Sequence, residues 1–159
     1  MTRVAITGHR GLPPDATALV ETALRSEVAK RASSELVAVS CIADGPDSLF
    51  ARAVLDLGGS LIVVVPARKY RDSLPAEHHT TYDELYSAAT KIIEVGREES
   101  DSEAHQAGGV RMLDEADELI AVWDGLPARG FGGTADVVAV ARERHMPVTV
   151  VWPRGARRD

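Results

Sequence analysis

Cysteine is nearly absent from this 159-residue sequence: Cys41 stands alone. A single thiol cannot close an internal disulfide. Its place inside the apolar run Val37 to Ile42 marks it as a buried structural thiol rather than a nucleophile. Long apolar runs are absent as well, none reaching the roughly 18 to 20 residues that span a bilayer. The start, Met1-Thr2-Arg3-Val4-Ala5-Ile6, enters an apolar strand without the h-region of a secretory signal. No membrane partner is therefore expected, and the location expected is cytoplasmic. A basic excess is also missing, since 18 Lys and Arg against 24 Asp and Glu leave a formal charge of −6. That balance lacks the electrostatic footprint of a duplex nucleic-acid binder, so no duplex partner is expected.

What is present points to a folded core. Hydrophobic residues make up 45% of the chain, enough for a sizeable interior, and the 26% that are charged argue against disorder. The length predicts one domain over 1–159, with the polar tail 154–159 frayed. Five short apolar runs punctuate the chain: Val4–Thr7, Leu36–Ile42, Leu61–Pro66, Leu119–Trp123 and Val148–Trp152. Most are continuous rather than alternating, as in strands buried on both faces of a parallel sheet. Segments of helical character lie between them. Asp15 caps a predicted helix to about Arg31, with Leu19 among its inward residues. Asp47 or Ser48 starts a second, with Leu57 inward and Gly58-Gly59 as its stop. Others cover about Thr81 to Lys91, about Glu103 to Ala116 with Gly108-Gly109 weakening the middle, and about Thr134 to Arg144. Ile92–Val95 fits either an edge strand or a helix end. The alternation predicts an α/β fold: a Rossmann-like, doubly wound, mainly parallel sheet of five or more strands flanked by helices.

In such a sheet ligands bind at the carboxyl edge, and three loops fall there. After the first strand, Thr7-Gly8-His9-Arg10 offers a close backbone approach at Gly8, a donor or stacking ring at His9 and a permanently charged fork at Arg10. The GxGxxG dinucleotide spacing is absent, and no acidic residue closes the second strand. After the second strand, Gly45-Pro46-Asp47-Ser48 leads into a helix; Asp47 is either an N-cap or a second ligand contact. After Trp123 come Asp124, Gly125, Gly130 and then Gly132-Gly133-Thr134, which opens a helix whose N–H groups suit a phosphate. Asp136, in the first turn, matches the helix dipole or else contacts a ribose hydroxyl or acts in catalysis. Glu77-His78-His79 has no metal-ligand spacing and is expected to be a solvated loop. No metal and no cofactor are expected.

The segments Thr7-Gly8-His9-Arg10, Gly45 to Ala51, Leu61–Pro66 and Ala116 to Gly125 with Gly132 to Asp136 together resemble the SLOG superfamily. This superfamily joins Rossmann-like proteins similar to the LOG phosphoribohydrolases and to the DNA-processing protein A fold. The resemblance runs from about Val4 to Pro153. It implies nucleotide chemistry: the LOG enzymes cleave nucleoside 5′-monophosphates to base and ribose 5-phosphate, with a signature PGGxGTxxE and an arginine on the preceding helix. Here Val137 holds the glutamate position and Gly108 the arginine position, with Arg111 nearby. Asp136, Asp124 and Arg111 are the candidate catalytic residues of a phosphoribohydrolase. Gly8, His9, Arg10, Gly45, Asp47, Gly132, Gly133 and Thr134 are the candidate ligand and phosphate contacts. The expected partner is a nucleotide-like small molecule, bound rather than turned over, and the resemblance implies a homodimer. The acidic balance argues against a single-strand binding groove. A structural module with a relic pocket is the remaining alternative.

Overall fold

The computed structural model describes residues 1–128 and 130–158. Six strands form one parallel sheet: β1 (Thr2–Gly8), β2 (Leu36–Ser40), β3 (Ser60–Ala67), β4 (Lys91–Arg97), β5 (Glu118–Val122) and β6 (Val148–Val151), in the spatial order β4-β3-β2-β1-β5-β6. The helices are α1 (Pro14–Lys30), α2 (Pro46–Asp56), the short α3 (Tyr70–Ser73), α4 (His79–Ala88), α5 (Ser102–Asp114) and α6 (Thr134–Glu143), with a 3₁₀ turn at Ala76–His78. Val4, Ala5 and Ile6 in β1, Ala38 and Val39 in β2, Val63 and Val64 in β3 and Leu119 to Val122 in β5 are fully buried. Their continuous apolar runs follow from burial on both faces. The architecture is the α/β, Rossmann-like, doubly wound sheet expected, with six strands.

Several local expectations change. Of the two readings of Ile92–Val95, the edge strand holds: it lies in β4, whose one buried residue is Ile93. None of the three predicted cap residues, Asp15, Asp47 and Ser48, caps its helix. The α1 N-cap is Pro13, with Pro14 at the first helical position, and Asp15 sits in the first turn. The α2 N-cap is Gly45, at φ +91°, followed by Pro46, so Asp47 is inside the first turn. Proline at these first helical positions makes a side-chain cap less necessary, since it brings no orphan N–H. Leu57 is exposed because α2 ends one residue earlier, and Leu19 flanks the buried stripe Ala16, Val20, Leu24 and Val28. His78 and His79 are not in a solvated loop. The buried His78 ring donates Nε2–H to the Ile42 carbonyl at 2.9 Å, and His79 Nε2 lies 3.2 Å from the Leu74 carbonyl oxygen. In the tail, two arginines reach carboxylates of the body. Arg157 pairs with Asp15 at 2.8 Å and Arg158 with Asp124 at 3.3 Å; Asp159 lies outside the described residues.

The glycine pair expected to weaken α5 does the opposite of loosening it. The helix runs unbroken through Gly108 and Gly109, both buried. A Cβ at Gly108 would lie 2.7 Å from Pro66 Cγ, and one at Gly109 would lie 2.7 Å from Val137 Cγ2. The glycines therefore let α5 settle directly onto β3 and α6. Gly109→Ala gains about 1 kcal/mol of helix propensity but forces a carbon into a β-branched side chain that cannot rotate away. Overpacking of this kind costs about 1–3 kcal/mol. We therefore expect Gly109→Ala to lower the Tm, and Val137→Ala in the same chain to recover part of the loss. An unchanged or higher Tm for the single variant contradicts the contact.

Candidate functional site

A cavity of about 320 Å³ opens at the carboxyl edge of the sheet. Its position follows from topology. Strand β1 is central, and the chain departs from it towards β2 on one side and pairs with β5 on the other, which leaves a crevice beyond the strand ends. All three loops singled out by sequence reach it: Thr7 to Arg10 after β1, Cys41, Ala43 and Asp47 after β2, and Gly130 to Thr134 before and at α6. Pro66, Gly109, Met112 and Val137 line it as apolar wall. Val137, which presses on Gly109, holds the position where the LOG signature has its glutamate, and Gly108, which presses on Pro66, holds the position of its arginine.

The β2–α2 loop is held tightly. Ile42 sits at φ +47°, a conformation that a β-branched residue adopts only under constraint. The constraint is visible: the Ile42 N–H donates to Ser40 Oγ at 2.9 Å, the Ile42 carbonyl accepts from His78, and Ser48 Oγ donates to the Ala43 carbonyl at 2.7 Å. This arrangement turns half-buried Asp47 towards the cavity. Its Oδ2 accepts a long bond from the Ala43 N–H at 3.4 Å, and among the described residues Oδ1 has no protein partner. Burial pushes its carboxyl up to about 7, against the pull of the Ala43 N–H and the Arg10 guanidinium, with Asp44 adding to the rise. Arg10 lines the cavity while Nε and Nη2 grip Asp44 Oδ1 at 2.9 and 2.8 Å.

Gly8 has a packing role. A Cβ there would lie 2.7 Å from Pro46 Cβ, so the bare backbone is what lets α2 start against β1. Gly45 supplies the positive φ of the same corner. His9 is buried beside the cavity, edge-on to Trp152 at 5.6 Å. Its Nε2 accepts the Asp124 N–H at 3.1 Å and lies 3.2 Å from Asp124 Oδ1, to which the protonated ring would donate instead.

The candidate catalytic residues are not brought together in the cavity. Asp124 is turned aside into a cluster with His9, Arg158 and the Leu126 N–H, which donates to Oδ1 at 3.0 Å. Burial opposes its ionisation, yet these partners hold its carboxyl below the usual carboxylate range. Asp136 reaches back along its own helix, and its Oδ2 accepts the Gly132 N–H at 2.9 Å. Arg111 lies on the other side of α5, paired with Glu115 at 3.4 Å and beside Ile93 and Glu94 of β4. Gly132, Gly133 and Thr134 all line the cavity, but their N–H groups differ. The Gly132 N–H is taken by Asp136, and Gly132 is needed for its φ of +85° and for passing the Ser102 carbonyl, 2.5 Å from where a Cβ would sit. Gly133 and Thr134 line the cavity as N-cap and first residue of α6, and among the described residues nothing accepts from their N–H groups.

Other lining residues escaped the sequence reading. Tyr70 follows the carboxyl end of β3, where the same edge rule applies but no glycine marks the loop. His105 packs edge-on to Tyr70 at 5.8 Å, and its Nε2 lies 2.9 Å from Ser100 Oγ; burial, then Arg10, pushes its pKa down. Cys41 is buried, and burial pushes its thiol well up, as suits a structural thiol. Phe131 is exposed at the mouth, and Arg158 arrives from the tail. No local pattern announces either.

The titration of Asp47 has a consequence for stability. Its folded value of about 7 lies above the usual unfolded value of about 3.9. Between these limits the native state keeps a proton that the unfolded chain has lost, so this group's contribution to stability falls as pH rises and levels off above about 7. Asp47→Asn removes the effect. The Tm difference, variant minus wild type, is expected to grow from about pH 4.5 to about pH 7.5; a flat difference contradicts the placement of the carboxyl.

No protein-family model matches the sequence, and no curated protein matches it. Solved structures do match. DNA processing protein A from Helicobacter pylori, whose structure is described as giving its single-stranded DNA binding mode, aligns at a TM-score of 0.69 and 20% identity, over 97% of this chain and 66% of that one. DNA processing protein A from Streptococcus pneumoniae aligns at 0.67 and 19%, over 94% of this chain and 50% of that one. The molybdenum cofactor binding protein from Rippkaea orientalis aligns at 0.56 and 16%, over 94% and 75%. This chain thus spans about half to two thirds of the length of the two DNA processing proteins. The Helicobacter protein corrects the expectation about partners. A protein of this fold binds single-stranded DNA, so setting nucleic acid aside on the strength of a net charge of −6 does not stand. Net charge averages over a surface, whereas a strand meets one groove. Among the described residues no helix is long and apolar enough to cross a membrane. The six-stranded parallel sheet and these alignments together show that this chain has the α/β Rossmann-like fold of these proteins.

Proposed function

We propose that this chain binds a nucleotide or nucleotide-derived ligand in the carboxyl-edge cavity, with the phosphate resting on the N–H groups of Gly133 and Thr134. The observation that carries the reading is that Gly133 and Thr134 line the cavity at the start of α6 and that their N–H groups meet no acceptor among the described residues. Helix-start N–H groups with their dipole hold an anion without a metal or a base. Arg10 and Arg158 add positive charge at the same cavity, each steadied by a carboxylate, Asp44 and Asp124. A volume of about 320 Å³ is at the small end of the range for small-molecule sites and suits a mononucleotide better than a dinucleotide. The molybdenum cofactor binding protein of the same fold is, by its description, a holder of a small ligand, which supports the use of this fold for binding.

Binding is favoured over turnover by the arrangement of carboxylates. Cleavage of an N-glycosidic bond calls for an acid or base within reach of the scissile atoms. Asp124 is engaged by Arg158 and Leu126, Asp136 by Gly132, and Arg111 lies across α5. Incubation with AMP is expected to release no free adenine.

Thr134→Pro gives a clean test of the phosphate site. Thr134 is the first residue of α6, where proline is compatible with a helix, and Gly133 at φ −79°, ψ −179° already has the extended backbone that precedes proline. The substitution deletes one N–H and little else. A hydrogen bond to a charged group is worth about 1.5–3 kcal/mol, so AMP affinity measured by calorimetry is expected to fall by about tenfold or more with the Tm retained. Thr134→Ala, which keeps the N–H, is expected to bind like the wild type. Equal affinity for all three, or no binding of AMP by the wild type at millimolar concentration, overturns the reading.

A further inference from the structure

The same cavity holds one acidic side chain that the phosphate site does not use. We propose that Asp47 is the base-reading residue of the site: as a neutral carboxylic acid it recognises an adenine-type edge, and as a carboxylate it recognises a guanine-type edge. This rests on the nucleotide reading above and adds the identity of the group that chooses the base.

The placement comes first. The loop after β5 that carries Gly133 and Thr134 and the loop after β2 that carries Asp47 flank β1 on its two sides. They are two strand spacings apart, roughly 10 Å. A phosphate on the α6 start therefore sends the far end of a mononucleotide, its base, towards Asp47. There the carboxyl has one oxygen anchored by the Ala43 N–H and the other without a protein partner among the described residues. A group that ends in one fixed and one open oxygen can form a paired contact in the plane of a base edge.

The chemistry follows from donor and acceptor patterns. The Watson–Crick edge of adenine presents an acceptor at N1 and a donor at N6. A neutral carboxylic acid is its complement, donating O–H to N1 and accepting from N6. The same edge of guanine presents adjacent donors at N1 and N2, and only the ionised carboxylate accepts both. Asp47 titrates within the range in which the two forms exchange, since burial holds its carboxyl near 7.

The other groups around it do not reproduce that switch. After β1 come His9 and Arg10; Arg10 is bridged to Asp44 from the β2 loop. Cys41 and Tyr70 are pushed up by burial and stay neutral. His105 from α5 is pushed down by burial. His78 is bonded to Ile42 and Ser48, Arg158 to Asp124, and His9 to Asp124. None of these presents two adjacent oxygens that can pass from one donor and one acceptor to two acceptors, which is the change that separates the two base edges.

The test is calorimetric titration of the wild type and Asp47→Asn with AMP and GMP at about pH 6 and about pH 8. The second ionisation of the phosphate, near 6, is common to both ligands and cancels in the ratio of their affinities. In the wild type the AMP:GMP affinity ratio is expected to fall by about a hundredfold between the two pH values, about tenfold from each ligand as the required form of Asp47 is lost or gained. Asparagine presents one donor and one acceptor at any pH, so Asp47→Asn is expected to keep AMP binding with a ratio that changes by less than about twofold. A wild-type ratio independent of pH overturns the base-reading role while leaving nucleotide binding in place, and so does a variant that keeps the swing. Absence of binding by the wild type to both nucleotides at both pH values removes the nucleotide reading and this inference with it.

Discussion

The contact on which the site depends is the closure of α5 onto its neighbours through two residues without side chains. Gly108 meets Pro66 of β3 and Gly109 meets Val137 of α6. Any larger residue at either position would push α5 outward and widen the crevice beyond β1. The same closeness gives the cavity its apolar back wall and brings Tyr70 and His105 to its rim. It also accounts for the departure from the LOG signature. The positions that carry an arginine and a glutamate there hold Gly108 and Val137 here, and both are committed to packing. Polar catalytic groups and this helix contact are alternatives at the same place in the fold.

The carboxylates tell a consistent story. Four aspartates stand near the sheet edge, and each has a different local answer to its charge. Asp44 takes Arg10, Asp124 takes Arg158 with a backbone N–H, and Asp136 takes the Gly132 N–H. Asp47 alone has only a long backbone contact at 3.4 Å, and burial leaves it easier to protonate than the usual carboxylate. The backbone donors divide in the same manner. Asp136 acts as an internal anion for Gly132, and the next two N–H groups along the chain, of residues that line the cavity, meet no acceptor among the described residues.

Much of the fold was legible because burial on both faces writes itself as continuous apolar runs, as in Val4 to Ile6 and Leu119 to Val122. Strand β4 was harder, since an edge strand with charged residues at Lys91, Glu94 and Arg97 has no such signal. Cap assignments at Asp15 and Asp47 missed because proline at the first helical position does the same work without a side-chain bond. The glycine-containing loops marked the sheet edge at which the cavity opens. The aim of individual side chains was not legible. Arg111 and Gly109 are two residues apart, yet one faces β4 and the other the cavity. Whether Asp136 points into the pocket or back to Gly132 is decided by loop geometry that no spacing encodes. Arg158 and His105 come from distant segments and join the site only through the tertiary fold.

The central claim is that the first N–H groups of α6, and not the glycine loop as a whole, hold an anion. Backbone amide chemical shifts, followed by NMR as AMP is added, test it at single-residue resolution. The account requires the Gly133 and Thr134 amides to move together and saturably, in the direction of stronger hydrogen bonding. The Gly132 amide, already bonded to Asp136, should keep that bond and move much less. Movement centred on Gly132, or shifts confined to residues away from the start of α6, would contradict it.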